Sequence, residues 1–452
     1  MSNTTDMTVG TPTRGILRFA LPLILGYILQ QMYQVIDAAI VGHWVGVDAL
    51  AAVGASTSVM FLVMGFCNGA CAGFAIPVAQ AFGGRDLPKM RAYVANAMRI
   101  AWVFAVVITF MSCMLCSRIL KIVNTPNDIF DDAWTFLFLL FLAIPFTIAY
   151  NLFAGFIRAL GNSKQPFYFL IFSSLINILL DVVLIMWMGL GVMGAGVATL
   201  LSQGVSSLLC WLYIRKEMKI LIPQGEERKY DNKKISILLN NGVPMGLQFS
   251  ITGIGIIMLQ SANNALGTVY VASFTAAMRI KYLFTCVFEN IGVAMATYCG
   301  QNIGAGKIVR IRQGIYSAIK VMLAYFVVTV LIIYPFADEM MKLFVSPDEQ
   351  LVIANAALFM RIGNYFFPLL GLLTIFRYSI QGLGYSNLSM LSGVMEMLAR
   401  CGVSLWLVPT LAFTGVCLGD PVAWLAADIF LIPAFVWLYK RLKVKAVGSL
   451  HL

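Results

Sequence analysis

Long apolar segments recur from one end of the 452-residue chain to the other, and they decide what it can fold into. A bilayer core needs ~20 apolar residues per helix, and about twelve segments reach that length. They cover approximately 14–42, 50–82, 92–117, 131–158, 165–187, 193–215, 235–263, 270–302, 312–335, 351–380, 386–410 and 414–440. Only 11% of the residues are charged, against about 25% in soluble domains. The sequence therefore predicts an all-α polytopic membrane protein with twelve transmembrane helices, and excludes a soluble globular fold.

Basic residues are concentrated at the two termini and in alternate loops, around 85–91, 158–164, 215–234 and 307–312. The opposite loops carry mainly acids, including Asp128, Asp131, Asp338 and Glu349. The positive-inside rule then places both termini in the cytoplasm, with a multi-pass chain in the plasma membrane. The net charge of +11 is spread over short loops rather than gathered on a soluble face, so we expect no nucleic-acid partner.

An internal repeat divides the chain near its middle. The turn Gln80-Ala81-Phe82-Gly83 is echoed by Gln301-Asn302-Ile303-Gly304, 221 residues later. Three more matches lie near that offset: Leu21-Pro22 with Val243-Pro244, Ile144-Pro145 with Phe367-Pro368, and 159–163 with 382–386. Each half holds six segments, which predicts two pseudo-symmetric six-helix lobes with a central cleft. We place the N-lobe at 1–215, a cytoplasmic inter-lobe loop at 216–234 and the C-lobe at 235–452.

The first segment combines a helix-bending residue with an ionisable one. Pro22 removes a backbone hydrogen bond and lets a membrane helix bend. Gln30, Gln34 and Asp37 recur at helical spacing and line one face. A carboxylate at membrane depth is energetically costly and marks a functional site by default.

Polar residues of the fifth and sixth segments supply partners for Asp37. Asn177 and Asp181 are four residues apart and share a helix face, and Thr199 adds a hydroxyl. Oxygen atoms of these four residues can ligate sodium, or a buried carboxyl group beside a like charge can take up a proton. The alternative is that each carboxylate only hydrogen-bonds a neighbouring helix.

The remaining membrane-depth acids favour structural or cavity roles. We single out five acids at membrane depth: Asp37, Asp181, Glu289, Glu396 and Asp428. Lys281 and Glu289 face the same way, so they line a cavity or pair with another helix. Glu396 and Arg400 have the spacing of a structural ion pair, whereas Asp428 has no evident partner. Further candidates for a substrate cavity are Gln30, Tyr33, Gln34, Asn68, Tyr150 and Asn151.

No metalloprotease helix, nucleophile elbow or ATP-binding motif occurs in the sequence. We therefore expect a protein that is not an enzyme. We also expect no cofactor and no metal apart from H⁺ or Na⁺ as a coupling ion.

The chain resembles the multidrug and toxic compound extrusion family over nearly its whole length. The resemblance lies in the twelve segments, the two halves and the repeated Gln-x-x-Gly turn. Pro22, Gln30, Asp37, the Asn177-x-x-x-Asp181 pair and Thr199 are similar to the DinF-type branch. In that branch the matching positions are implicated in cation coupling, helix bending and substrate contact. The NorM-type branch carries acids in the seventh and tenth spans, and those spans have none here.

We expect from this resemblance a monomeric secondary antiporter that exports amphipathic, often cationic, small molecules as H⁺ or Na⁺ enters. Protonation near Asp37 would bend the first helix at Pro22 and shrink the N-lobe cavity. One alternative is a flippase for lipid-linked precursors from the same superfamily. It needs a strongly basic cavity, for which Arg279, Lys281 and Arg400 are the only candidates. The other is a membrane sensor or scaffold that transports nothing, although the sequence shows no soluble domain to support it.

Overall fold

The structure is a computed structural model that describes residues 4–123 and 125–448, and helices account for almost all of them. The first half contains α1 (Pro12–Trp44), α2 (Val47–Gly83), α3 (Leu87–Ile122), α4 (Phe130–Leu142), α5 (Ile144–Ala159), α6 (Lys164–Asp181) and α7 (Gly191–Glu217). The second half contains α8 (Asn232–Asn264), α9 (Thr268–Gly304), α10 (Ile308–Met341), α11 (Gln350–Tyr365), α12 (Phe367–Gly382), α13 (Ser386–Gly402), α14 (Val408–Leu411) and α15 (Phe413–Gly448).

The number of membrane spans agrees with the prediction. Among the described residues, ten helices are long and apolar enough to cross a membrane. Two bent pairs, α4 with α5 (40°) and α11 with α12 (53°), bring the number to twelve if each forms one span. Pro145 and Pro368 are the second residues of α5 and α12. Proline suits a helix's first turn but not its interior, which explains why both spans break there.

The repeat is visible in the helices themselves. α3 and α10 begin 221 residues apart, as the repeated turn predicts. Each half also contains a π-helical stretch, Val182–Trp187 after α6 and Val403–Leu407 after α13. Such wide turns are rare and are frequent at functional sites.

The described residues pack as two compact units. Unit 1 contains residues 4–6 and 21–246, and unit 2 contains residues 7–20 and 247–448. Their limits differ from the predicted lobes because the first part of α8 packs within unit 1. A Cβ atom on Gly242 would lie 2.2 Å from the Phe74 ring, and one on Gly246 would lie 2.8 Å from Phe66. These glycines let α8 approach α2 more closely than any larger residue allows.

Residues 7–20 belong to unit 2, where the backbone of this segment is hydrogen-bonded. Met7 N–H donates to Gln301 Oε1 at 2.9 Å, and Asn302 Nδ2 donates to the Met7 carbonyl at 3.2 Å. Arg310 Nη2 donates to the Gly10 carbonyl at 3.0 Å. The repeated Gln-x-x-Gly turn of the second half therefore anchors the N-terminal segment.

The inter-lobe loop is held in unit 1 by α3. Arg91 donates two hydrogen bonds of 2.7 Å to Glu227, and Asp231 N–H donates to Asn96 Oδ1 at 3.2 Å. The Arg91 guanidinium lowers the pKa of the Glu227 carboxyl below its ordinary value. The two units are thus alike in this respect. The N-terminal segment bonds to α10 in unit 2, and the inter-lobe loop bonds to its repeat counterpart α3 in unit 1.

Candidate functional site

The first helix packs closely against α6 in unit 1. α1 continues through Pro22, which is buried and cannot donate the usual backbone hydrogen bond. One turn later, a Cβ atom on Gly26 would lie 3.2 Å from the Phe167 ring and 3.6 Å from Leu170. The gap in the hydrogen-bond ladder and this close contact with α6 are therefore one turn apart.

Two carboxylates, one from each of these helices, act on each other. Asp37 of α1 and Asp181 of α6 are within electrostatic reach of one another, and the Tyr33 hydroxyl is within reach of both. Asp181 is fully buried, whereas Asp37 is half-buried. Neither oxygen of Asp181 has a hydrogen-bond partner among the described residues, and Asp37 Oδ1 also lacks one.

Asn177 completes an unpaired polar cluster on α6. It precedes Asp181 by one helical turn, is buried, and has no partner for either amide atom within the described part of the chain. A buried polar group left without a partner costs about 1–3 kcal/mol, and a charged one costs more. A proton or a small cation bound here would remove part of that cost.

Thr199 of α7 lies at about the level of Asn177 of α6. Ser173 Oγ donates to the Ser202 carbonyl at 2.7 Å, which ties α6 to α7. The two helices are joined by a short turn and run in opposite directions. Asn177, four residues after Ser173, is therefore level with residues 198–199 of α7, and Thr199 itself is half-buried. The structure thus places Asp37 within reach of Asp181, with Asn177 one turn before Asp181 and Thr199 on the neighbouring helix. The coupling roles of these four residues stay predictions.

The predicted substrate-cavity residues of unit 1 have mixed environments. Gln34 and Asn68 are exposed, and Gln30 and Tyr33 are half-buried. Tyr150 donates its hydroxyl hydrogen to the Pro166 carbonyl at 3.3 Å, and Asn151 Nδ2 donates to the Thr147 carbonyl at 2.9 Å. Exposure leaves Gln34 and Asn68 accessible, whereas Tyr150 and Asn151 each support the helix backbone.

Unit 2 contains a chain of buried ion pairs instead. In order, it runs through Lys281, Asp420, Arg400, Glu396 and Arg377, with charges that alternate in sign. Arg400 Nε is 3.0 Å from Asp420 Oδ1, and Arg400 Nη2 is 3.3 Å from Glu396 Oε2. All five residues are buried. The predicted Glu396–Arg400 ion pair is confirmed, and Lys281 pairs with another helix, one of its two predicted alternatives.

The sequence interpretation missed two members of this series of ion pairs, Asp420 and Arg377. Asp420 lies inside α15, although the sequence Gly419-Asp420-Pro421 is typical of a turn. A clue existed, since Asp420 and Asp428 are eight residues apart and so share a face of an apolar segment. Arg377 is buried in α12 and pairs with Glu396 of α13, so spacing within one helix gave no signal. Arg279, which was named as a basic cavity candidate, is exposed.

Glu289 and Asp428 lie beside this chain of ion pairs. Glu289 accepts a hydrogen bond of 3.1 Å from the Tyr378 hydroxyl. Asp428 is buried, and neither of its oxygens has a hydrogen-bond partner among the described residues. Arg377 and Glu396 are charges that act on it electrostatically. Within the described part of unit 2, three buried bases therefore pair with Asp420 and Glu396, and none of them bonds Glu289 or Asp428.

Among the described residues, no group of three or more His, Cys, Asp or Glu side chains is placed so that it could hold a metal ion.

Comparisons with known proteins agree with the repeat. The profile of the family described as MatE matches residues 22–183 and 242–406, one block in each half. The probable multidrug resistance protein YoeA of Bacillus subtilis is 30% identical over 361 residues, 78% of each chain. The multidrug export protein MepA of Staphylococcus aureus (strain bovine RF122 / ET3-1) is 20% identical over 84% of this chain and 85% of its own.

Solved structures share the fold. A crystal structure of MATE in the bent conformation aligns with a TM-score of 0.90 and 22% identity, covering 98% of this chain and 100% of the other. An outward-facing multidrug resistance MATE family transporter of the MOP superfamily gives a TM-score of 0.90 at 23% identity, covering 97% and 99%.

Helix content, ten to twelve spans among the described residues and the repeated halves define a polytopic α-helical membrane protein. The matched profile then gives the family plainly. The chain belongs to the multidrug and toxic compound extrusion family, whose profile covers most of both halves.

Proposed function

We propose that this protein is a secondary antiporter that exports amphipathic, often cationic, small molecules in exchange for protons, in the plasma membrane with both termini in the cytoplasm. The observation that carries the proposal is that Asp37 and Asp181 of unit 1 act on each other and form no ion pair with a base among the described residues. The multidrug export named for MepA and the multidrug resistance named for YoeA support the substrate class.

Protons fit the acidic pair better than sodium does. Two carboxylates within reach of each other in a poorly solvated site cannot both stay ionised without a large repulsion. One proton shared between Asp37 and Asp181 relieves that repulsion and also supplies a hydrogen-bond donor, which the pair lacks. Sodium would require several more oxygen ligands, for which Asn177, Thr199 and the Tyr33 hydroxyl are the side chains at hand.

Proton uptake would act on α1 through Pro22. Two ionised carboxylates push α1 and α6 apart, whereas a protonated pair does not. Protonation therefore changes the free energy of bending α1 at Pro22, where one backbone hydrogen bond is missing. Gly26, which sits against Phe167, is the contact that such bending would alter first. The proposed sequence is that protonation favours the bent helix, narrows the substrate cavity and releases the substrate.

The flippase alternative is weaker because the buried bases already have partners. Lys281, Arg377 and Arg400 each pair with a carboxylate. A lipid pyrophosphate would have to displace those carboxylates before it met an uncompensated positive charge. The scaffold alternative predicts that the protein moves no dye under either a pH gradient or a sodium gradient.

The test is dye transport by purified protein in proteoliposomes. We expect ethidium movement under an imposed pH gradient, no response to a sodium gradient, and at least a tenfold loss in Asp37→Asn and Asp181→Asn. Asp132→Asn is the matched control, because Asp132 is an exposed residue in the first turn of α4. Normal transport by both unit 1 variants would contradict the proposed coupling site. Transport that responds to a sodium gradient alone would contradict the proposal that protons are the coupling ion.

A further inference from the structure

The outer face of α3 carries a groove that antiport does not use. It has a volume of about 620 Å³ and lies entirely within unit 1. Its lining includes Met98, Arg99, Trp102 and Val103 of α3 together with Pro223 and Arg228 of the inter-lobe loop. Trp102 is 69% exposed and Val103 is 50% exposed. The groove is therefore an open surface with an apolar side and a basic side.

The spacing of charges along α3 gives the depth of this groove. No charged residue occurs between Arg99 and Arg118, so residues 100–117 are uncharged. At 1.5 Å per residue they rise ~27 Å, close to the ~30 Å thickness of a bilayer core. Arg99 thus lies at the level of the lipid headgroups, with Trp102 one turn deeper, where interfacial aromatic residues are enriched.

The basic side carries positive charge without a matching acid. Arg99 and Arg228 are exposed, and neither forms an ion pair with any described residue. Arg99 Nη2 donates to the Arg228 carbonyl, and Arg228 Nε donates to the Pro223 carbonyl at 3.0 Å. The nearby carboxylate of Glu227 is taken by Arg91. Each guanidinium thus keeps N–H groups that can bind an anion.

We propose that the groove binds an anionic diacyl phospholipid. Its phosphate bonds Arg99 and Arg228, because guanidinium forks match phosphate oxygens. One acyl chain follows the exposed apolar side of α3, which continues past Trp102 and Val103 to Phe110. Basic pockets at this level of a membrane suit anionic headgroups. The bound lipid joins α3 to the inter-lobe loop and stabilises unit 1.

The repeat supplies a matched control in unit 2. Lys320 of α10 is 221 residues after Arg99, is exposed, and precedes an uncharged stretch over 321–337. It has the same depth and charge as Arg99. Lys320 is not among the residues that line the groove. Lys320→Gln removes an interfacial charge without touching the proposed site.

The test measures lipid binding to the purified full chain by native mass spectrometry and by thermal unfolding. We expect added phosphatidylglycerol to bind and to raise Tm, and phosphatidylcholine to do neither. Affinity for phosphatidylglycerol should fall about tenfold in Arg99→Gln/Arg228→Gln and severalfold in the loop variant Arg228→Gln, and stay unchanged in Lys320→Gln.

Several outcomes would overturn the lipid site. They are wild-type affinity in both arginine variants, equal binding of phosphatidylcholine, or an equal loss in Lys320→Gln. An equal rise in Tm with glycerol phosphate alone would mean a soluble phosphate site instead. Should the double variant fail to fold, Arg228→Gln decides the question, because its side chain lies on the surface. Loss of lipid binding with intact dye efflux leaves the antiport proposal unaffected.

Discussion

The two units share a helix order but place their buried charges in opposite ways. In unit 1, Asp37 and Asp181 act on each other, and neither forms an ion pair with a base among the described residues. In unit 2, Asp420 and Glu396 alternate with three bases in one continuous chain. An unpaired acid gains from a proton, whereas a paired acid loses a partner when it takes one. The difference agrees with the proposal that unit 1 takes up the coupling ion, and the ion pairs of unit 2 hold its helices together.

The largest effect should come from breaking the ion pairs of unit 2. Asp420→Asn leaves Lys281 with no carboxylate bonded to it and takes one of two from Arg400. Removing one member of a buried ionic group lowers the free energy of unfolding by about 3–5 kcal/mol. Thermal unfolding of the purified protein measures this. The double variant Lys281→Met/Asp420→Leu should lose less, and an Asp420→Asn protein as stable as wild type would break the comparison.

The same chemical change in unit 1 should leave stability intact and abolish coupling. Asp181→Asn removes one of two mutually repelling carboxylates, so we expect Tm to be equal to or above that of wild type. Dye transport should nevertheless fall at least tenfold, equivalent to about 1.4 kcal/mol or more. Parallel unfolding and transport assays on one preparation check both parts. A fall in Tm like that of Asp420→Asn would show that Asp181 is structural.

A smaller effect should follow from filling the contact between α8 and α2. Gly242→Ala puts a Cβ atom 2.2 Å from the Phe74 ring and 3.0 Å from the Ala70 carbonyl. Overpacking of this kind costs typically 1–3 kcal/mol. Gly54→Ala in α2 is the control, since nothing lies within 4 Å of its added Cβ, and helix propensity alone should make it neutral or stabilising. Equal Tm values for the two variants would contradict the packing of α8 in unit 1.

The smallest effect concerns the loop ion pair of unit 1. Arg91 lowers the pKa of Glu227 below its ordinary value, so this pair stabilises the fold above that ordinary value. The contribution disappears as pH falls through the lowered pKa of the folded protein. Glu227→Gln should therefore reduce stability by less than about 1 kcal/mol at neutral pH, and by nothing in strong acid. Unfolding measured between pH 7 and pH 3 follows the difference, and a variant penalty that grows on acidification would refute it.

Sequence reasoning predicted most of the repeated membrane spans and few of the ion pairs between helices. Apolar length and the echoed prolines at Pro145 and Pro368 located the spans to within a few residues, because the bilayer sets helix length. Asp37, Asn177 and Asp181 were identifiable because a polar group at membrane depth stands out in an apolar segment. The Arg377–Glu396 pair joins two helices, and only three-dimensional packing brings its members together.

The limits of the two units were also beyond sequence reasoning. The division at the longest loop was the natural expectation, since the loop interrupts the repeat. Yet Met7 bonds to Gln301, and Gly242 packs on Phe74. Both depend on close backbone contacts between segments far apart in the chain, and such contacts leave no periodic pattern.

Proton release on substrate binding tests the central claim most directly. Adding tetraphenylphosphonium to purified protein in weakly buffered solution with a pH dye should release protons from wild type. We expect no release from Asp37→Asn or Asp181→Asn, and wild-type release from Asp428→Asn, the buried acid of unit 2 that has no hydrogen-bond partner in the described part of the chain. Release that persists in both unit 1 variants and disappears in Asp428→Asn would place the coupling in unit 2 and contradict the account.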